Sequence, residues 1–361
     1  MGILLAKDFN FCYYNAIVLK RQIVFTTITQ YDEVRGTHPM KKAAKFTIAA
    51  LSAAAACVGA VYGVTHLLMG VAMNRQPPRL GKKKGGGSRL TGERPNDGFR
   101  AAQKAASQRL AAAPHQMVTI ESQDGLRLAG HWFPCPDARR IIIAFHGWHS
   151  AWHRDFGLMA GFWQQEKCSV LYVEQRAQQN SQGDYIGFGL TEREDCLAWT
   201  QWVVNRFGTA LPIYLAGVSM GGTTVLMAAD LPLPDAVRGI IADSAYTSPH
   251  AIWQHVARKN LHIPFLLGGW MADQVCRARL SVGSDECSTL DALSVTEKPV
   301  LLIHGRDDHF VPVRMAYENR AACASPCRLL VVPDADHAMG YYVDRQEYEE
   351  ALRRFWSACE E

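Results

Sequence analysis

The chain has 361 residues, of which 48% are hydrophobic and 20% charged, and its 38 Lys and Arg against 34 Asp and Glu leave a formal charge of +4. Part of that excess sits in the Pro, Gly and Lys rich stretch containing Lys82-Lys83-Lys84, so the charge makes no case for a nucleic-acid partner. Ten cysteines without a Cys-x-x-Cys pair read as buried thiols rather than a zinc site, and a disulfide stays open only if the folded domain faces outward.

In chain order, residues 1–45 form an N-terminal extension. Met40 stands directly before Lys41-Lys42 and is the expected translation start, which would leave residues 1–39 untranslated. From Phe46 to Met73 there is no Asp, Glu, Lys or Arg. About twenty apolar residues span a bilayer, so 46–73 reads as a transmembrane helix or uncleaved signal anchor; the alternative is a buried helix. Basic residues flank it on both sides, which leaves open the face of the cell membrane that carries the rest. Residues 74–114 read as a flexible basic linker, on the Pro, Gly and Lys content of Arg75 to Asp97.

Residues 115–361 are enough for one large α/β domain, and apolar runs alternate there with helical patterns, as a mostly parallel sheet requires. Met117 to Glu121 and Leu126 to Phe133 flank Asp124-Gly125, a hairpin signal. Arg140 to Phe145 is a buried strand ending in His146-Gly147-Trp148. The stretch from Thr191 to Val204 has an acidic first turn and helical apolar spacing, with Trp199 and Trp202 assigned to the core.

Leu211 to Ala216 is then a strand feeding Gly217-Val218-Ser219-Met220-Gly221, with helix-like sequence from Thr223 to Asp230. Small residues two before and two after a serine let the backbone bend sharply enough to lift its hydroxyl above the sheet; the alternative is an ordinary glycine-rich turn. Such a nucleophile needs a base and an acid to orient it. Val300 to Gly305 is a strand running into Arg306-Asp307-Asp308, and Leu329 to Val332 leads to Asp336-His337. Serine, acid and histidine thus follow one another, each at a strand end, with Asp307 and Asp308 both open as the acid and Asp243 in reserve. Asp334 and Asp336 read as solvated loop carboxylates. The Met220 amide, next after the serine, would be one donor to an oxyanion. His146, His149 and His153 lack a partnering acid or cysteine set, so no metal is expected.

These motifs make 117–356 resemble the α/β-hydrolase superfamily, in its monoglyceride-lipase-like, cinnamoyl-esterase-like and serine-aminopeptidase-like branch. The resemblance rests on His146-Gly147, Gly217-Val218-Ser219-Met220-Gly221-Gly222, Gly305 through Pro312, and Asp336-His337. It implies the α/β-hydrolase fold, with helices on both faces of a mostly parallel sheet and no cofactor. It selects Asp308 as the acid, makes the Trp148 amide the second oxyanion donor, and gives His146 and Gly147 supporting roles in that loop. It implies that 246–295, rich in Trp253, Phe265, Leu266, Leu267, Trp270 and Met271, forms a helical cap over the serine; the alternative is a helix or two packing at the sheet edge. One segment departs: many relatives carry Asp-x-Arg-Gly-x-Gly-x-Ser after the fourth strand, where this chain has Glu174 through Ser181 with both glycines replaced. The function implied is a serine hydrolase of small carboxylic esters, acyl or aromatic, tethered to a membrane. A peptidase or thioesterase using the same triad, and a non-catalytic tethered binding module, are the alternatives.

Overall fold

The computed structural model describes residues 42–77, 91–93 and 95–361, with the side chains of 42–46 left out. Met40 and the extension before it lie outside the described residues, as does the Lys82-Lys83-Lys84 run. The chain divides between Ala60 and Val61 into two units.

The apolar stretch is one helix, α1 (Lys42–Met73). Within it Thr47–Met73 is long and apolar enough to cross a membrane by length and composition, with a mean hydropathy of 1.8. Its final turns belong to the second unit, where Met69, Val71 and Met73 are buried. The carbonyl of Ala72 accepts from the Trp148 indole at 2.7 Å, and that of Met69 accepts from Arg279 at 2.9 Å.

Residues 97–112, assigned on composition to the flexible linker, are instead an ordered helix, α2 (Asp97–Ala112). Asn96 caps it by accepting from the Phe99 amide at 2.7 Å, and Phe99, Ala106 and Leu110 form a buried stripe at helical spacing. The Pro, Gly and Lys of the preceding stretch masked that periodicity.

The sheet has eight strands: β1 (Gln116–Glu121), β2 (Arg127–Phe133), β3 (Arg140–Phe145), β4 (Cys168–Glu174), β5 (Ile213–Val218), β6 (Val237–Asp243), β7 (Val300–Gly305) and β8 (Cys327–Val332). Their spatial order is β1-β2-β4-β3-β5-β6-β7-β8. β1 and β2 form the expected hairpin, with Gly125 at φ +80° in its turn, and β2 pairs antiparallel with β4; every other pairing is parallel. Parallel strands need helical crossovers, which cover both faces, so the central strands are apolar on both sides. Ile142 and Ala144 of β3 join one core with Phe99, Phe355 and Trp356, while Ile141, Ile143 and Phe145 join the other with Trp199 and Val225.

The helices that matter to the site are α3 (Glu192–Phe207) and α4 (Met220–Met227), which follows β5 directly. Between β6 and β7 comes a helical insertion with α5 (Pro249–His255), a π-turn over Val256–Asn260, α6 (Leu266–Leu280) and α7 (Thr289–Val295). Ile252, Ala272, Val275 and Cys276 of this insertion cluster with Met220, Tyr246 and the buried end of α1.

Candidate active site

β5 ends at Val218, and Ser219 turns the chain into α4 with φ 56° and ψ −118°. A non-glycine residue holds such a conformation only when its surroundings impose it. A side chain at Gly217 would collide with the Gly221 carbonyl, and one at Gly221 with the Phe145 carbonyl of β3, so the tight turn requires both glycines.

His337 follows β8, and its Nε2 lies 2.9 Å from the Ser219 hydroxyl. Its Nδ1 lies 2.8 Å from Asp308 Oδ2. The other Asp308 oxygen accepts from the amides of Phe310 at 2.9 Å and Val311 at 2.7 Å, which fixes the carboxylate plane. The Phe310 ring stands edge-on to the imidazole, with centroids 5.0 Å apart. The structure thus brings Ser219, Asp308 and His337 together. Asp307 is exposed and accepts from the Asp334 amide, while Asp243 takes the hydroxyls of Ser244 and Tyr348.

Asp336 is not a solvated loop carboxylate. It is 9% exposed and accepts from the amides of His309 and His337, tying the histidine's loop to the acid's loop. Asp334 is exposed and pairs with Arg306.

Sequence reasoning missed His304, buried at the end of β7, whose Nε2 donates to the Val311 carbonyl at 2.8 Å and lies 3.4 Å from Asp308 Oδ2. A second histidine four residues before the acid was the available signal.

On the oxyanion side, Met220 opens α4, where first-turn amides have no carbonyl within the helix. Gly147 approaches so closely that a Cβ there would lie 3.3 Å from Ser219 Cβ, and its amide is held by Asp155 at 2.7 Å. That leaves the next amide, Trp148, with no acceptor among the described residues. His146 is fully buried, and burial lowers its pKa, so the ring is neutral. Its Nδ1–H donates to the Gly147 carbonyl at 2.8 Å, and Nε2 accepts from the Gln175 amide at 3.2 Å.

The segment that departs from the relatives keeps the conformation that glycine would favour. Ala177 and Gln179 stand where the motif has glycine, and both adopt positive φ, 58° and 48°. Arg176 holds the loop through Asp195 at 2.6 Å and Asp124 at 2.8 Å, and Ser181 accepts from the Ala129 amide at 2.9 Å. Left-handed backbone costs a non-glycine residue about 1–2 kcal/mol. Gln179 is exposed, so Gln179→Gly is expected to stabilise the protein, raising Tm by about 2–4 °C as thermal unfolding will measure, whereas at Ala177, 1% exposed, loss of the buried methyl offsets that gain.

Ser219 and His337 line a cavity of about 370 Å³. Among the described residues lining it none comes from 246–295, where the expected cap would be. Its outer wall is Thr91, Glu93 and Pro95, with Phe99, Arg100 and Gln103 of α2. The chain ahead of the sheet therefore supplies this wall, because α2 packs its apolar stripe beside the β3 edge of the site.

Burial raises the Glu93 pKa against the opposing pull of His337. Burial alone would depress His337, but the charge and hydrogen bond of Asp308, with further help from Glu93 and Asp243, push it up to about 9. Asp308 shows the converse: burial opposes its charge, yet His337 and His304 hold the carboxyl well below the usual range. An imidazole accepts a proton only when neutral, so kcat/KM of the free enzyme is expected to climb with pH, with a midpoint above the ordinary 6.5. Glu93→Gln removes a negative charge that favours the imidazolium, and should move that midpoint to lower pH in a pH–rate profile on a neutral soluble ester.

Residues 187–360 match the Prolyl oligopeptidase family, Peptidase_S9. Among curated proteins the chain is similar to YqkD of Bacillus subtilis, 27% identical over 191 residues, covering 52% of this chain and 61% of YqkD, so it spans less than two thirds of that relative's length. It is 26% identical to YfhR of Escherichia coli over 237 residues, covering 62% of this chain and 73% of YfhR. Among solved structures, the Pyrococcus furiosus esterase Pf2001 superposes with a TM-score of 0.55 at 23% identity, covering 68% of this chain and 95% of its own. Est1E of Butyrivibrio proteoclasticus, solved with ferulic acid, superposes with a TM-score of 0.51 at 20% identity, covering 67% and 98%. Eight strands in this order, the serine turn after β5, the acid after β7, the histidine after β8 and these matches together give the chain the α/β-hydrolase fold.

Proposed function

We propose that the protein is a serine hydrolase that cleaves carboxylic esters, acyl or aromatic, through an acyl-enzyme. The single observation that carries the reading is the continuous chain of hydrogen bonds from Ser219 through His337 to Asp308, at 2.9 and 2.8 Å. In the first step the Ser219 oxygen attacks the carbonyl carbon while His337 Nε2 takes its proton. The amides of Trp148 and Met220 receive the developing oxyanion. His337 then protonates the leaving alkoxide, the carbonyl re-forms as an acyl-serine, and a water deprotonated by His337 releases the acid. Asp308 keeps the proton of the resting imidazole on Nδ1 and stabilises the cation formed midway. No cofactor and no metal enters these steps.

The ester preference is supported by two structural neighbours, an esterase and a protein holding ferulic acid. A second reading, peptide hydrolysis with the same triad, is favoured by the match of 187–360 to Peptidase_S9. A panel of p-nitrophenyl esters, acyl thioesters and aminoacyl anilides separates these, and turnover of the anilides alone would replace the ester reading. A fluorophosphonate probe should label the protein, and the absence of labelling on folded chain would favour a binding module.

We place the protein in a membrane as a single-pass chain. In Thr47–Met73 an 18-residue window is wholly unburied, and 18 helical residues rise about 27 Å, close to the ~30 Å hydrocarbon core. Resistance of the full chain to alkaline carbonate extraction is the expected result; release would make the segment a signal sequence or surface helix.

A further inference from the structure

We propose that the helical insertion itself meets the lipid bilayer, with Leu266, Leu267 and Trp270 of α6 seated in the interfacial layer beside the end of α1. This rests on the reading of α1 as a membrane span. Leu266 is 90% exposed, Trp270 62% and Leu267 46%, whereas Gly269, Met271, Ala272, Val275 and Cys276 of the same helix face inward. Single exposed apolar residues are ordinary, but three within one turn and a residue make a face. Leu266 and Trp270 are four apart and so stack on one side of the helix. A tryptophan beside leucines is the composition that settles at a membrane interface, where the indole keeps one edge wet.

Two further observations select lipid as the occupant. The first is continuity with α1. A side chain at Gly268 would begin 3.5 Å from the Thr65 hydroxyl, Arg279 donates to the Met69 carbonyl at 2.9 Å, and Met69 and Met73 share a core cluster with Ala272, Val275 and Cys276. The exposed face of α6 therefore flanks the turns where α1 passes from exposed, at Tyr62 and Val64, to buried, at Thr65 and Met69. The second is charge. Arg258, Lys259 and His262 are exposed just before this face, and neither Arg258 nor Lys259 makes an ion pair among the described residues. Basic groups that precede an apolar face along the chain suit anionic headgroups.

The test uses the full chain reconstituted in vesicles of zwitterionic lipid with and without phosphatidylserine. A genetically encoded, environment-sensitive fluorophore replaces Leu266, and in a control the exposed Tyr317. At position 266 the emission should be blue-shifted and quenched by nitroxide-labelled lipid, more strongly with phosphatidylserine, while position 317 stays water-like. Water-like, unquenched emission at 266 in protein that still resists carbonate extraction overturns the proposal and leaves the span intact. A blue shift without lipid quenching also overturns it, since protein then covers the face. Release by carbonate sinks the span reading and this inference with it. As a functional check, Leu266→Glu with Trp270→Glu should lower turnover of a vesicle-embedded ester roughly tenfold while leaving a short soluble ester unaffected. Equal loss on both esters would assign the face a structural role instead.

Discussion

Ser219→Ala is expected to abolish fluorophosphonate labelling and to lower kcat by about 10⁴ to 10⁶-fold, with the protein still folded. The alanine removes the attacking oxygen and nothing else of consequence, because the Ser219 amide, which donates to the Asp243 carbonyl at 2.8 Å, is retained. The glycines at 217 and 221 still shape the turn. His337→Ala should cost a similar factor, and the double variant little more than either single one, since the pair acts as one unit. Binding of a neutral ester should survive, because the cavity walls and the free amides of Trp148 and Met220 are untouched. A double variant whose losses multiply would show that serine and histidine do not share a step.

Asp308→Asn should cost about 10⁴-fold in kcat. The carboxylate takes amide donors from Phe310 and Val311 on one oxygen and the His337 Nδ1 on the other. An asparagine must turn its carbonyl toward the two amides, which directs its NH₂ at His337. Nδ1 then has to accept, the ring proton moves to Nε2, and the imidazole faces Ser219 with no lone pair to take its proton. Loss of the charge also removes the chief cause of the raised His337 pKa, so residual activity should titrate at lower pH than in the wild type. Kinetics across pH, paired with thermal melts to show a folded protein, measure both effects. A loss under tenfold would make Asp308 a structural residue and return attention to Asp243.

Much of the site was legible in sequence because its requirements are local. Gly217 and Gly221 flank Ser219 since a Cβ at either would strike backbone, and that constraint leaves a five-residue pattern. The acid and histidine could be found because each lies within a few residues of the end of an apolar strand. The loop at 174–181 shows the limit of such reading. Its missing glycines suggested a changed conformation, yet Ala177 and Gln179 adopt positive φ in a loop that Arg176 ties to Asp124 and Asp195 and Ser181 ties to the Ala129 amide, partners outside the loop that the local pattern does not reveal.

The same limit explains the linker. Composition averages over a window, so the Pro, Gly and Lys ahead of residue 96 outweighed a buried stripe of three side chains in α2. From order and spacing alone the chain determined its α/β class, the turn that presents Ser219, the histidine and a pair of candidate acids at strand ends, and the apolar helix, because backbone sterics and hydrophobic period act between near neighbours; the choice of Asp308 within that pair came from the family resemblance. Only the tertiary structure decided that Glu93 and α2 wall the cavity, that Asp336 and His304 brace the acid and histidine loops, and that α1 ends against the insertion. Each of those depends on burial between segments far apart in sequence, where a side chain's partners are set by the packing of the whole sheet rather than by its neighbours in the chain.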